Sequence, residues 1–169
     1  MPFTPFHFGF AVFLYSIFPF LDPIALLLGC VIIDLEPLFY FLFNVGKPHG
    51  IVHSFLGIII FLIPVSIISW LCFRWFKLEN YIKPFNPYFS LLSSFLGIFS
   101  HIFFDTIIYP EMMFFFPFTK TRGILFGLWS SRVDYIILSV MFCIGVIIIL
   151  IRFIIKKFKN EEDKLIDTD

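Results

Sequence analysis

The sequence predicts an all-α protein, a polytopic transmembrane helix bundle of four to five spans. Hydrophobic residues make up 60% of the 169-residue chain and charged residues only 14%, and the mean hydropathy is +0.98. A soluble domain of this size exposes too much of its surface to hide so many apolar side chains. The apolar residues also fall into runs of about 20 residues, the length that a helix needs to cross a bilayer.

Four runs are long enough to span: residues 23–43, 51–73, 88–109 and 135–155. A fifth run, residues 6–20, is shorter, so we expect either a tilted span or a segment buried in the bundle. The loops are short and no internal repeat is present, which predicts a single transmembrane domain over residues 1–158. The tail, residues 159–169, is polar enough to be disordered.

Charge and cysteine content exclude further classes of protein. Twelve basic and twelve acidic residues give a net charge of zero, and no basic stripe indicates a nucleic-acid partner. The three cysteines lie in separate apolar runs, which argues against a disulfide framework. The N-terminus lacks the basic region of a removable signal peptide. The sequence carries no signal for the oligomeric state.

The distribution of lysine and arginine predicts the orientation. With a cytoplasmic C-terminus, eight basic residues lie on the cytoplasmic side. Four lie on the opposite side, namely Lys47, Lys120, Arg122 and Arg132. Under the positive-inside rule this distribution favours an inner-membrane protein whose C-terminus is cytoplasmic.

Ionisable side chains gather towards one end of the predicted spans. An ionisable group in a bilayer costs several kcal/mol unless it is paired, solvated or bound to a metal, so each is a functional candidate. In the predicted topology they all lie in the outer half of the membrane or at its outer surface. The set comprises His7, Asp34, Glu36, His49, His53, His101 and Asp105.

The spacing of the histidines and acids favours a metal site. His101 and Asp105 are four residues apart and therefore project from one helix face, as do His49 and His53 if their helix begins by Pro48. Imidazole and carboxylate together suit zinc and similar divalent ions, and a carboxylate can also orient an imidazole ligand.

The two acids of the first long span are two residues apart. Asp34 and Glu36 point to nearly opposite sides of an ideal helix, although Pro37 can distort the preceding turn. Only one of these acids needs to face the site.

Residues 109–118, YPEMMFFFPF, are predicted to form an interfacial or re-entrant segment that closes over the site.

The order of His7, IIDLEP, HGIVHS, GIFSHIFFD and YP resembles that of the YdjM-like family of small inner-membrane proteins, described as metal-dependent hydrolases. The resemblance extends from His7 to about Pro117. Asp34 matches the first acid of the family's second span, where Glu36 replaces the second acid. The motifs of the next two spans are matched by His53, Ser54, His101 and Asp105.

The resemblance is incomplete around His49, because the chain lacks the arginine and threonine of the family's His-Arg-Gly and Thr-His-Ser motifs. His49 therefore suits an orienting role as well as direct ligation. The motif order is also similar, more weakly, to zinc-dependent phospholipase C. That similarity implies one metal on Asp34, His53, His101 and Asp105, with Asp105 bridging to a second ion held partly by His7.

A metal-dependent hydrolase is the function that these patterns favour. It would hold a divalent metal, zinc first, as one or two ions, with Glu36 or His49 as base or orienting group. Its substrate would be a membrane lipid or lipid-linked ester near the outer leaflet. Lys120 and Arg122 are candidates to hold the substrate phosphate, although basic residues beside a span commonly serve only as anchors.

Two other interpretations remain open at the level of sequence. One is a metal-binding membrane protein or ion transporter that performs no hydrolysis, because histidine and aspartate on facing helices also form ion pathways. The other is a bundle held together by His–Asp hydrogen bonds without a metal. Such contacts contribute only about 0.6 kcal/mol each in membranes, which is little return for burying several ionisable groups.

Overall fold

The computed structural model describes residues 4–47, 49–80 and 82–166, and within these residues the regular secondary structure is helix, with no strand. The six α-helices in these ranges are α1 (Phe8–Ile17), α2 (Pro23–Ile32), α3 (Leu35–Phe43), α4 (Phe55–Phe76), α5 (Pro87–Ile108) and α6 (Ser131–Ile166). Four segments are long and apolar enough to cross a membrane: Pro23–Phe43, Phe55–Phe76, Pro87–Ile108 and Ser131–Lys159. The predicted all-α fold is confirmed, and the apolar helices indicate a membrane protein.

The first apolar run forms α1, a helix of ten residues that follows a 3-10 turn over Thr4–His7. At 1.5 Å per residue α1 is about 15 Å long, half the thickness of the hydrocarbon core. It packs along α6, where a Cβ on Gly9 would collide with the carbonyl of Leu138. Of the two alternatives predicted for residues 6–20, the structure therefore has the short segment packed in the bundle.

The second run is one span with a break between α2 and α3. Pro37 has no N–H to donate to the carbonyl of Ile33, which accepts the amide of Glu36 instead at 3.1 Å. The amide of Asp34 likewise bonds Val31 at 3.0 Å, in a tight turn. Because of this break, the side chains of Asp34 and Glu36 do not have the relative orientation that they would have on an ideal helix.

Helices α2, α4 and α5 form the centre of the bundle. Gly29 and Gly97 allow α2 and α5 to approach closely, since a Cβ on Gly97 would lie 2.6 Å from the carbonyl oxygen of Leu26. At the end remote from the histidines, Asp22 caps α2 by accepting the amides of Ile24 and Ala25. Asp22 also accepts a hydrogen bond from Ser69 of α4 at 2.6 Å, which ties two helices together.

The connection between α5 and α6 folds back over the start of α4. The amides of Phe55 and Leu56, which lack partners within their own helix, donate to the carbonyls of Phe114 and Phe116 at 2.9 and 3.1 Å. Met112 and Phe114 are buried in the central core. This connection therefore covers the end of the bundle at which α4 begins.

Helix α6 is the longest element and continues to Ile166. It thus extends eight residues into the tail that composition predicts to be disordered. The last three residues of that tail lie outside the described residues.

Candidate metal centre

Four side chains, from two spans and from the segment just before a third, meet at the end of the bundle where α4 begins. Each offers one ligand atom, and the four atoms all lie within 4.8 Å of one another. Asp34 comes from the α2–α3 break, His53 from the residues just before α4, and His101 and Asp105 from α5. His53, His101 and Asp105 are buried, whereas Asp34 is half-buried.

The imidazole of His101 is held in one tautomer. Its Nδ1 lies 2.7 Å from the backbone carbonyl oxygen of Cys30. A carbonyl only accepts hydrogen bonds, so Nδ1 carries the proton and Nε2 of the neutral ring presents a lone pair. That Nε2 faces Asp34 Oδ1 and Asp105 Oδ2, each at 3.3 Å.

His53 is oriented in the same way by a carboxylate. Its Nδ1 lies 2.7 Å from Glu36 Oε2, which leaves Nε2 as the free ring nitrogen. Glu36 also accepts the backbone amides of Gly50, Val52 and His53 at 3.1–3.3 Å. Glu36 thus fixes both the imidazole and the backbone that carries it, an arrangement common around histidine ligands of metals. Both acids of the broken span therefore serve the site, Asp34 directly and Glu36 through His53.

The histidines before α4 do not share a helix face. Sequence reasoning placed them on one face only if their helix began by Pro48. Pro48 lies outside the described residues, and that condition is not met, because α4 begins at Phe55 with Ser54 as its N-cap residue. Glu36 binds three amides of the preceding segment, and such bonds favour a loop over a helical turn. The rings of His49 and His53 are nevertheless 5.1 Å apart.

Buried polar atoms without hydrogen-bond partners indicate that this group fits a cation. His53 Nε2, His101 Nε2 and Asp105 Oδ1 are buried without a hydrogen-bond partner among the described residues. Each buried polar atom left without a partner costs about 1–3 kcal/mol. These are nitrogen and oxygen donors of the kind that bind zinc. A divalent cation beside the two imidazoles would satisfy both Nε2 atoms, whereas Asp105 Oδ1 faces His7.

The two distances measured from His101 Nε2 match the spacing of metal ligands better than that of charge-assisted hydrogen bonds. Tetrahedral coordination with metal–ligand bonds of about 2.0–2.2 Å places neighbouring ligand atoms about 3.3–3.6 Å apart. His101 Nε2 is 3.3 Å from both aspartates, whereas a charge-assisted hydrogen bond measures about 2.7–2.9 Å. The residues therefore fit a divalent metal, and Asp34, His53, His101 and Asp105 would hold it.

His7 adjoins this group without belonging to it. Its Nε2 lies 3.5 Å from Asp105 Oδ1, the oxygen of Asp105 that does not face His101. The His7 and His101 rings are 4.2 Å apart. Both ring nitrogens of His7 are buried without a hydrogen-bond partner among the described residues. The two oxygens of Asp105 thus face two different histidines.

His49 lies on the loop side of the group. Its Nδ1 is 3.0 Å from Glu111 Oε1, and its ring stacks on Tyr109 at 3.9 Å. Burial, together with the neighbouring His53, lowers the pKa of His49, so the ring is neutral at pH 7. Since Glu111 accepts from Nδ1, Nε2 is the basic nitrogen of this ring.

A cleft of about 380 Å³ opens beside His49. It is lined by Glu36, Lys47, His49, Glu111, Met113 and Arg122, among others. Arg122, predicted to hold a phosphate, therefore lies at this cleft. Lys120, predicted with it, is exposed on the same connection but does not line the cleft.

Sequence reasoning did not assign a role at the site to Lys47 or Asp134. Lys47 was counted only for orientation, since its place beside Arg122 depends on the folded connection. Asp134 is fully buried near the start of α6 and accepts a hydrogen bond from Trp129 Nε1 at 3.2 Å. An acid beside an apolar run was the available signal for Asp134, as it was for Asp34.

Comparison with protein-family models, with curated proteins and with solved structures finds no match to this chain.

Proposed function

We propose that this chain is a membrane-embedded, metal-dependent hydrolase that cleaves a phosphoester or other ester of a lipid or lipid-linked substrate. The observation that carries the proposal is the convergence of four ligand atoms within 4.8 Å at one end of an apolar bundle. The Nε2 atoms of His53 and His101 in this group are buried without a hydrogen-bond partner among the described residues, and a cleft opens beside the group.

The chain's own residues supply the parts that hydrolysis needs. A bound divalent ion acts as a Lewis acid and lowers the pKa of coordinated water to about 7. Asp34, His53, His101 and Asp105 hold the ion, which we take to be zinc because two imidazoles contribute. Glu36 keeps His53 in the ligating tautomer. His7, facing the second oxygen of Asp105, is placed to contribute to a second ion.

His49 is the residue we assign to proton transfer. Its neutral Nε2 is a base, and Glu111 at Nδ1 stabilises the imidazolium that forms when Nε2 accepts a proton. The Nε2 can then donate that proton to the leaving group. Glu36, the other candidate base in the sequence, has its carboxylate occupied by one imidazole and three amides. We therefore assign Glu36 to positioning.

The topology favours a site on the outer side of the inner membrane. All five stretches that contribute to the site lie at one end of the bundle, and α6 runs from that end to the other. The remote end holds most of the lysines and arginines, so the positive-inside rule assigns it to the cytoplasm. We propose membership of the YdjM-like family from the sequence motifs, whose residues are those that form the candidate centre.

Ion transport is the alternative, and the remote end of the bundle argues against it. Ionisable groups that serve an ion pathway face the bundle interior or a water-filled cavity and are not committed to a structural role. Asp22 is the buried acid at that end among the described residues, and its carboxylate is engaged by Ser69 and two helix amides. Asp22 therefore serves as a cap that joins helices, and the histidine cluster is reached from one side.

Turnover of a phospholipid tests the hydrolase directly. The purified, zinc-loaded chain is incubated with mixed phospholipid micelles, and released phosphate or headgroup is measured against an Asp105→Asn variant and an exposed control, Glu79→Gln. We expect release by the wild type and by the control, and none by Asp105→Asn. Metal binding without release from any ester, together with ion flux in liposomes, would favour the transporter.

A further inference from the structure

The cleft beside His49 is joined to the candidate metal centre through side chains that line it. Glu36 and His49 both form part of its wall. Glu36 is hydrogen-bonded to the ligand His53 at 2.7 Å, and the His49 ring lies 5.1 Å from the ring of the same ligand. A molecule bound in the cleft therefore lies next to the residues that would hold the metal.

The cleft holds two cations that do not form direct ion pairs with its own two acids. Its two acids are already engaged, Glu36 by His53 and the loop amides, and Glu111 by His49. Its two cations, Lys47 and Arg122, are exposed and have no ion-pair partner among the residues that the structure describes. Two free cations facing one cleft favour an anionic ligand.

The two cations come from different parts of the chain. Lys47 belongs to the connection between α3 and α4, and Arg122 to the connection that covers the start of α4. Only the folded arrangement places them at one opening. Guanidinium and ammonium groups together are typical of phosphate recognition, with arginine able to form two parallel hydrogen bonds.

Exposed apolar side chains flank this opening at the end of α3 and on both connections. At the end of α3, Phe41 is 84% exposed and Val45 is 70% exposed. Phe118 and Leu128, on the covering connection, are 75% and 60% exposed. Side chains of this kind insert among lipids, so a ligand that reaches the two cations also has access to the acyl-chain region.

We propose that Lys47 and Arg122 form a phosphate-binding site for an anionic phospholipid headgroup. As a statement about the substrate this rests on the proposed function, and it makes that substrate an anionic lipid rather than a zwitterionic one. Lys120, although it lies two residues from Arg122, takes no part because it does not line the cleft.

Binding of short-chain lipids tests this site without requiring turnover. The full chain in an uncharged detergent is titrated calorimetrically with dihexanoylphosphatidic acid, dihexanoylphosphatidylcholine and inorganic phosphate, with and without EDTA. The variants are Lys47→Gln and Arg122→Gln, and Lys120→Gln is the matched control. Both cleft cations are exposed, so the variants keep the fold, and circular dichroism checks this.

We expect the wild type to bind dihexanoylphosphatidic acid at least about tenfold more tightly than either other probe. Each cleft variant should weaken that binding at least about fivefold, and the double variant more, whereas Lys120→Gln should leave it unchanged. Equal affinity for the two lipids, or an equal loss in Lys120→Gln, would overturn the proposal. Inorganic phosphate binding as tightly as the lipid would overturn the assignment to a headgroup.

Binding and turnover measured together distinguish the headgroup site from the proposed hydrolase activity. Selective binding that depends on Lys47 and Arg122, without turnover of any ester, would leave the site standing and remove the catalytic function. Turnover whose lipid preference is unchanged in Arg122→Gln would support the hydrolase and refute the headgroup site.

Discussion

Replacing Glu36 with glutamine tests how the candidate centre is organised. Glu36 accepts the Nδ1 proton of His53 at 2.7 Å and three backbone amides at 3.1–3.3 Å. A glutamine has nearly the same shape but only one accepting oxygen, and its NH₂ group cannot accept from Nδ1 or from an amide. The variant therefore loses acceptors without leaving a cavity.

The expected effect falls on metal affinity. Without the carboxylate, His53 is free to adopt the tautomer with its proton on Nε2, which cannot ligate. Loss of a residue that orients a histidine ligand typically costs 10–100-fold in metal affinity, which corresponds to roughly 1.4–2.7 kcal/mol at 1.36 kcal/mol per factor of ten. We expect Glu36→Gln to bind zinc that much more weakly.

A chelator competition with the purified chain measures this affinity. The control is Glu79→Gln, which removes an exposed acid after α4 at the remote end and should leave zinc affinity unchanged. Zinc affinity in Glu36→Gln within about a factor of two of the wild type would refute the role of Glu36 in orienting His53.

Three further predictions concern separate parts of the molecule. Glu111→Gln should reduce turnover about 10–100-fold while zinc content stays at the wild-type level, because Glu111 contacts His49 and no proposed ligand; steady-state kinetics beside metal analysis check this. Asp22→Ala should lower the free energy of unfolding by about 1–2 kcal/mol through loss of the α2 cap, with zinc affinity unchanged, as measured by denaturant titration and chelator competition. Gly97→Val should destabilise the bundle by about 1–3 kcal/mol, because its side chain meets the Leu26 carbonyl, and thermal unfolding against Leu92→Ala, at a more exposed position of α5, measures this.

Each of these three predictions has a contradicting result. Loss of zinc in Glu111→Gln would show that His49 and Glu111 support the metal rather than proton transfer. Wild-type stability of Asp22→Ala would show that the Asp22 cap does not stabilise the fold. Wild-type stability of Gly97→Val would show that α2 and α5 do not need the close approach that Gly97 allows.

The spans and one motif could be read from the sequence because they depend on local periodicity. His101 and Asp105 are four residues apart on an uninterrupted helix, so the spacing alone places their side chains on one face, and the structure brings their Nε2 and Oδ2 within 3.3 Å. The four spans follow in the same way from the length of the apolar runs.

The other contributions depend on breaks and tertiary contacts that periodicity does not encode. Asp34 and Glu36 both serve the site because the helix breaks beside them, whereas an ideal helix would point one away. His49 and His53 approach each other through a loop that Glu36 holds, not through a helix. Glu111 reaches His49 from a connection 62 residues away in sequence, and no local pattern predicts that pairing.

Metal content of the purified chain tests the central claim most directly. Elemental analysis of the well-folded wild type, beside His101→Ala and the Glu79→Gln control, should find one or two equivalents of zinc in the wild type and in the control. His101→Ala, which removes the Nε2 that lies 3.3 Å from both aspartates, should lose that metal. A folded wild type without metal, or a His101→Ala variant that retains the wild-type amount, would contradict the account.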